Sequence, residues 1–248
     1  MAAEVEYYAT MNKIGELACV GAGLGGGFDN TNELHVMKYN EAMATGDKDK
    51  WTEAAKKEYD GMTKFKIFHA VPKSKVPKDA KVLTSTWAMK KKANRTFRAR
   101  LTVRGYEQVD GEHYDKDTTA APVVNEAMIR IIFILMIMSR WYAKILDVHG
   151  AFLHGKFEEG TKLFMEVPNG FKTFFPGDVL LLLLQSIYGL KQAVFAFWVE
   201  LLKAFYDMCY KQSKADPCLY YQWTSIGLIL WISWVDDCLV AFYMQSQK

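Results

Sequence analysis

The 248-residue chain has only four cysteines, and no two of them form a CxxC pair. Cys19, Cys209, Cys218 and Cys238 are scattered, so they read as four buried thiols in a reducing compartment. A secretory leader is lacking too: Met1 to Val20 has no basic start followed by an apolar core. Long apolar runs are also missing. The unbroken ones, Ile131 to Met138 and Val179 to Leu184 among them, are far too short to span a bilayer. Ile226 to Phe242 approaches the needed length, but Asp236 and Asp237 near its end argue against insertion. The expectation is therefore an intracellular, cytoplasmic protein with no membrane partner. Net charge is only +3, so the total says little about partners.

What is present is a globular composition, half hydrophobic and 24% charged. The charge is unevenly placed. Between Asp47 and Gln108 stand 17 Lys or Arg against 7 Asp or Glu, either a lysine-rich solvated surface or a face that follows a polyanion. The stretch Met1 to Asn40 reads as a linker or tail. Within it, Gly21-Ala-Gly-Leu-Gly-Gly-Gly27 formally matches GxGxxG, but Phe28-Asp-Asn-Thr-Asn32 follows, and that is loop chemistry. A flexible glycine linker fits better than a dinucleotide site.

Helical spacing of Trp51, Ala54, Ala55, Tyr59 and Met62 predicts an amphipathic helix over Trp51 to Lys64. Phe68 to Val71 reads as a short strand. Val82 to Lys91 and Thr96 to Arg104 read as a hairpin turning at Ala93-Asn94-Arg95. On its second strand Arg98, Arg100 and Arg104 share one face at a period of two, an arrangement suited to phosphates or to plain solvent. Asn125 to Arg140 is apolar on nearly every side, which predicts a buried helix. Strands are expected at Tyr142 to Val148, Leu163 to Val167, Val179 to Leu184 and Leu219 to Trp223. A second amphipathic helix is marked by Val194, Trp198, Leu201, Phe205 and Met208. The class is α+β.

One short stretch stands apart. Trp234-Val-Asp-Asp237 sits in an otherwise apolar run, where two adjacent carboxylates are costly without a partner. Either the pair turns into water, or it faces a cation such as magnesium, which prefers hard oxygen ligands. Asp147 likewise ends a predicted strand. Together with Asp236 and Asp237 it could hold two magnesium ions, with manganese as a substitute, for an in-line phosphoryl displacement. His149 and His154 are metal ligands by residue type only, since no His or Cys partner stands at ligand spacing.

Ordered blocks run through the chain: Trp51 with Glu58, Trp87-Ala-Met-Lys90, Arg98-Ala-Arg-Leu-Thr-Val-Arg-Gly-Tyr-Glu-Gln108 and Ala121-Pro-Val123. Asp147-Val-His-Gly-Ala-Phe-Leu-His-Gly155 and Met165-Glu-Val-Pro-Asn-Gly-Phe171 follow. Ser186-Ile-Tyr-Gly-Leu-Lys-Gln-Ala193, Asp216-Pro-Cys-Leu-Tyr220 and Trp234-Val-Asp-Asp237 complete the series. With these blocks the chain resembles the reverse transcriptase of copia-type (pseudovirus-class) LTR retrotransposons. The resemblance implies polymerase fingers over residues 45–141, after a tail at 1–44. It implies an incomplete palm over 142–248, a ferredoxin-like antiparallel sheet with helices on one face. By the same resemblance Asp147, Asp236 and Asp237 are the catalytic, metal-binding carboxylates, and Arg98 and Arg100 face the nucleotide triphosphate. Phe152 lies under the incoming sugar, and Gln192 lines the nucleotide pocket. The implied partners are RNA or DNA template-primer, deoxynucleotides and the rest of a polyprotein with RNase H and integrase, within virus-like particles if the element is intact. Trp234 replaces the usual Tyr, Val194-Phe195 the usual Pro-Arg, and Thr102 a small apolar residue. A nucleic-acid-binding remnant without activity is the alternative, because the family continues beyond the last hairpin with further palm elements and a thumb.

Overall fold

The computed structural model describes residues 36–92, 94–225 and 227–243. In chain order these form β1 (Val36–Met37), α1 (Tyr39–Met43), α2 (Lys48–Lys64), β2 (Phe68–Pro72), β3 (Val82–Leu83), β4 (Ser85–Lys91), β5 (Phe97–Val103) and α3 (Glu126–Met138). Then follow β6 (Tyr142–Asp147), β7 (Leu163–Glu166), β8 (Val179–Leu183), α4 (Ala193–Asp207), β9 (Lys211–Gln212), β10 (Leu219–Thr224), β11 (Gly227–Trp234) and β12 (Asp237–Phe242). Three sheets and four α-helices among the described residues make a mixed α+β architecture, as the sequence predicts. The Gly21 to Gly27 loop and Cys19 lie outside the described residues.

The chain groups into two compact units, and neither is continuous in sequence. The larger comprises the described part of Asn30–Ala121 with Gly150–Glu200; the smaller comprises Pro122–His149 and the described part of Leu201–Lys248. The division falls within α4.

In the larger unit β1, β4 and β5 form one antiparallel sheet, and β2, β8, β7 and β3 a second. The only parallel pair of the three sheets is β3 with β7. Helix α2 buries the stripe its spacing predicts: Trp51, Ala54, Ala55 and Met62 join Met89, Leu101 and Val103 in one core. Trp51 meets Phe97 edge-on at 4.6 Å. Truncating such a buried tryptophan to alanine costs about 3–5 kcal/mol. Residues 36–43, inside the stretch read as tail, are ordered elements: Val36 pairs with Lys90 and Met37 with Met89. The single strand expected from Val82 to Lys91 is broken at Thr84. The Glu107 carboxylate accepts from both the Thr84 amide and its hydroxyl, each at 2.6 Å, so β3 and β4 go to different sheets.

In the smaller unit β6, β12, β11, β10 and β9 form an antiparallel sheet in that order. Asn125 caps α3, its side-chain oxygen accepting from the Ala127 amide at 2.8 Å. The buried Asp216 carboxylate accepts from the Asn125 amide at 2.7 Å and the Cys218 amide at 2.8 Å, so it ties the start of α3 to the start of β10. The expectation of a buried α3 is corrected. Only Ile132 and Met136 are buried; Ile131, Ile134, Leu135, Ile137 and Met138 are exposed. A helix apolar all round gives periodicity no way to choose its inward face, and the one-sided packing buries two positions and half-buries Met128, Ile129 and Phe133. The expectation of four buried thiols also needs correction at Cys209. It follows α4 in a left-handed conformation, φ 65°, and is exposed, whereas Cys218 and Cys238 are buried. Burial and a neighbouring aspartate push both of those thiols up to about 11.

Candidate functional site

Strands β11 and β12 form the hairpin predicted around the two aspartates, with Trp234 opposite Asp237 and Val235-Asp236 as the turn. Val235 takes φ 54°, a left-handed conformation that is rare for a β-branched residue and costs about 1–3 kcal/mol. The turn is fixed from the neighbouring strand, since the Val148 amide donates to the Asp236 carbonyl at 2.8 Å. On the other side β12 pairs with β6, and Asp237 stands directly opposite Asp147. Side chains opposite one another on antiparallel strands lie on one face, with Cβ atoms about 4.5–5.5 Å apart. One end of the sheet therefore carries two carboxylates in register and a third in the adjoining turn. Partial desolvation, and then the negative charges of Asp236 and Asp147, hold the Asp237 carboxyl above the usual carboxylate range. As placed, no group of three or more His, Cys, Asp or Glu side chains among the described residues closes around a point that could hold a metal ion. Trp234 is half exposed at 53% beside this turn.

The remaining sequence-predicted residues lie in the larger unit. Ala99, Leu101 and Val103 point from β5 into its core, which leaves Arg98 and Arg100 on the outer face, as their period of two requires. The Arg100 guanidinium lies 4.9 Å from the centre of the Tyr188 ring, and Phe152 meets the same ring edge-on at 5.4 Å. Arg100 and Phe152 are thus brought together by Tyr188. Sequence reasoning did not single out this residue, although it stands in the Ser186 to Ala193 block. Behind the strand, Glu58 of α2 accepts from the Leu101 amide at 3.1 Å. Burial raises its pKa, against the pull of that hydrogen bond and of Arg100 and Arg98.

Gln192 is buried and sits in a different setting. It accepts from the Gln108 amide nitrogen at 2.9 Å and donates to the His113 carbonyl at 3.0 Å. The Gln108 oxygen accepts from the Lys191 amide at 2.8 Å. Two glycines make this approach possible. A Cβ on Gly105 would stand 2.1 Å from the Gly189 carbonyl oxygen, and one on Gly189 would stand 2.1 Å from that of Val103. Gly189 also takes φ +93°. The two glutamines and two glycines belong to the Arg98 to Gln108 and Ser186 to Ala193 blocks, which they fasten together. His154 packs edge-on against Phe65 at 4.9 Å. Among the described residues no helix is long and apolar enough to cross a membrane.

Comparison with known proteins places the sequence in a family. Residues 66–245 match the family model for reverse transcriptase (RNA-dependent DNA polymerase). The chain is 30% identical over 206 residues to the retrovirus-related Pol polyprotein from transposon TNT 1-94 of Nicotiana tabacum, covering 81% of this chain and 15% of that protein. It is 29% identical over 197 residues to the corresponding polyprotein from transposon RE2 of Arabidopsis thaliana, covering 77% and 13%. A third, from transposon RE1 of the same plant, is 29% identical over 169 residues, covering 66% and 11%. The chain thus spans less than a sixth of these polyproteins. On the extent of the family match, the chain belongs to the reverse transcriptase (RNA-dependent DNA polymerase) family.

Proposed function

We propose that the chain is the polymerase region of a copia-type retrotransposon polyprotein and adds deoxynucleotides to a primer 3′-end on an RNA or DNA template. The observation that carries this reading is the register of Asp147 against Asp237, with Asp236 in the turn beside them. Three carboxylates are hard oxygen donors, and partial desolvation, then the like charges of Asp236 and Asp147, raise the Asp237 pKa, a strain that a cation would relieve. Asp147, Asp236 and Asp237 would hold the divalent ions after side-chain rotation. When bound, a pair of magnesium ions supplies activation of the attacking hydroxyl and neutralisation of the leaving pyrophosphate. In the reaction the 3′-hydroxyl oxygen bonds to the α-phosphorus, the bond from that phosphorus to the bridging oxygen breaks, pyrophosphate leaves with the electron pair, and the hydroxyl proton passes to solvent water. Arg98 and Arg100 bind the triphosphate, Arg100 being held in place by the Tyr188 ring. Phe152, pinned by Tyr188 and by Phe197 at 6.4 Å, supports the sugar and excludes a ribose 2′-hydroxyl. Gln192 acts through the loop that it fastens. In this reading residues 45–141 are fingers and residues 142–248 palm, and the partners are template-primer and the remainder of the polyprotein, including RNase H and integrase.

The test is magnesium- or manganese-dependent extension of a primed RNA template. Asp237→Asn is expected to lower the rate by at least about 100-fold while primer-template binding persists. Extension unchanged in that variant would reject the assignment. A second reading, a nucleic-acid-binding remnant, is favoured by the fact that the carboxylates do not close around one point. It predicts salt-sensitive template-primer binding with no extension in either metal.

A further inference from the structure

A second cationic feature of the larger unit lies away from the outer face of β5 that carries Arg98 and Arg100. A cleft of about 510 Å³ between α2 and the tip of the β4–β5 hairpin is lined by Lys50, Glu53, Lys57, Lys91, Arg95 and Phe97. Four cations face one carboxylate on its walls. The Lys50 and Lys91 ammonium groups both stand over the Phe97 ring, at 5.2 and 4.9 Å from its centre. Both also reach the Asp47 carboxylate, at 2.8 and 3.7 Å, which holds Asp47 below the usual carboxylate range. These two lysines are therefore positioned in advance, and the entropy lost on gripping an anion is reduced. Lys57 and Arg95 have no ion-pair partner among the described residues.

The spacing selects the ligand. Lys50 and Lys57 are two turns apart on α2, about 10 Å along the axis. That is the rise of about three stacked nucleotides at about 3.4 Å each. It suits phosphates several nucleotides apart on a strand better than the compact tail of one nucleotide. The walls offer cations but few groups to read base edges, so binding would be to the backbone and independent of sequence. The Phe97 faces are taken up by Trp51 and the two ammoniums, so the ring works as a floor for the lysines, not as a stacking platform.

We propose that this cleft binds the phosphodiester backbone of single-stranded nucleic acid, at a place separate from the Arg98 and Arg100 face. The inference rests on the polymerase reading for the class of its ligand. The experiment titrates the full chain with a fluorescent ten-nucleotide oligo(dT) or oligo(rU) over a series of salt concentrations. Inorganic tripolyphosphate binding is measured alongside. Reversing both unpaired charges, Lys57→Glu with Arg95→Glu, is expected to weaken oligonucleotide binding at least about tenfold. It should also reduce the slope of log K against log salt by about 1.4, at about 0.7 for each phosphate that is no longer neutralised. The milder Lys57→Gln with Arg95→Gln should move both readouts in the same direction, which guards against a folding defect in the reversed pair. Tripolyphosphate binding should instead follow Arg98→Gln with Arg100→Gln.

Oligonucleotide affinity and slope unchanged in both cleft pairs would overturn the proposal. So would the absence of any oligonucleotide binding by the parent chain, or loss of tripolyphosphate binding in step with the oligonucleotide. Primer extension by the parent chain on the same preparation separates the two readings. A chain that extends, yet whose salt slope ignores the cleft, sinks the cleft alone. A chain that does not extend, yet loses slope with Lys57 and Arg95, retains the cleft and loses the polymerase reading.

Discussion

The two units treat their polar groups and apolar surfaces in opposite ways. In the larger one the recognisable blocks are consumed by one another: Gln108 bonds Gln192, Gly105 meets Gly189, and Glu107 takes both donors of Thr84. In the smaller one the polar residues of greatest interest are gathered at a sheet end, and α3 turns five large apolar side chains outward. A block of sequence can thus be specific to a family because it builds the scaffold, as with the glutamines, or because of the chemistry proposed for it, as with the aspartates. Burial and bond partners separate the two cases.

The strongest way to break the scaffold is Gly189→Ala. A Cβ there would meet the Val103 carbonyl at 2.1 Å in a φ +93° conformation, and neither backbone can yield cheaply. A loss of about 4 kcal/mol or more is expected in urea unfolding of the larger unit. An unshifted midpoint would show that the two loops can separate. In the smaller unit the counterpart is Asp216→Ala. It strips the part-buried amide of Asn125 and the buried amide of Cys218 of their acceptor and should cost about 2–3 kcal/mol. Hydrogen exchange at the start of α3 reads the effect, with the larger unit unaffected.

Protonation sharpens the contrast at the sheet end. The Asp237 pKa is raised in the folded chain, so its proton is held more tightly there than in the unfolded chain. Its ionised form therefore destabilises folding above the raised value, and stability recovers as pH falls through it. The proposed cation binding runs the other way and should be lost on the same fall. Asp236→Asn removes one like charge, so the acid limit of magnesium or manganese binding at the remaining pair should move to lower pH, read by calorimetry. A limit that stays in place would mean that Asp236 does not feel Asp237. Smallest in stability is Ile137→Gln with Met138→Gln, two exposed positions of α3. Unfolding should shift within about 0.5 kcal/mol per site, while self-association measured by light scattering falls.

Much of this was legible in the sequence, for identifiable reasons. The α2 stripe and the Arg98 and Arg100 face follow from single periodicities that the core then obeys. The aspartates stood out because charge is costly in an apolar run. Thr84 gave no local sign of a strand break, because its partner Glu107 is supplied from beyond the next strand. Tyr188 looked like one more loop residue until β5 laid Arg100 on its ring. Phe152 and Gln192 were reached through the family resemblance, and their partners, Tyr188, Phe197, Gln108 and His113, are all distant in sequence.

The pairing of β2 with β8 has a consequence for how the chain acquires its shape. Phe68 pairs with Leu183 and Pro72 with Val179, and β3 finds β7 over a similar separation. Between them the chain leaves to lay down α3 and β6 in the other unit. Loop closure over such distances is slow, and β-pairings of this kind dominate the folding time. On a ribosome adding about 5–20 residues per second, the hairpin of β4 and β5 and helix α2 wait several seconds for the strands that complete their unit. For that interval β2 lacks its one strand partner, so chaperone supply and translation rate, more than final stability, should set the soluble yield.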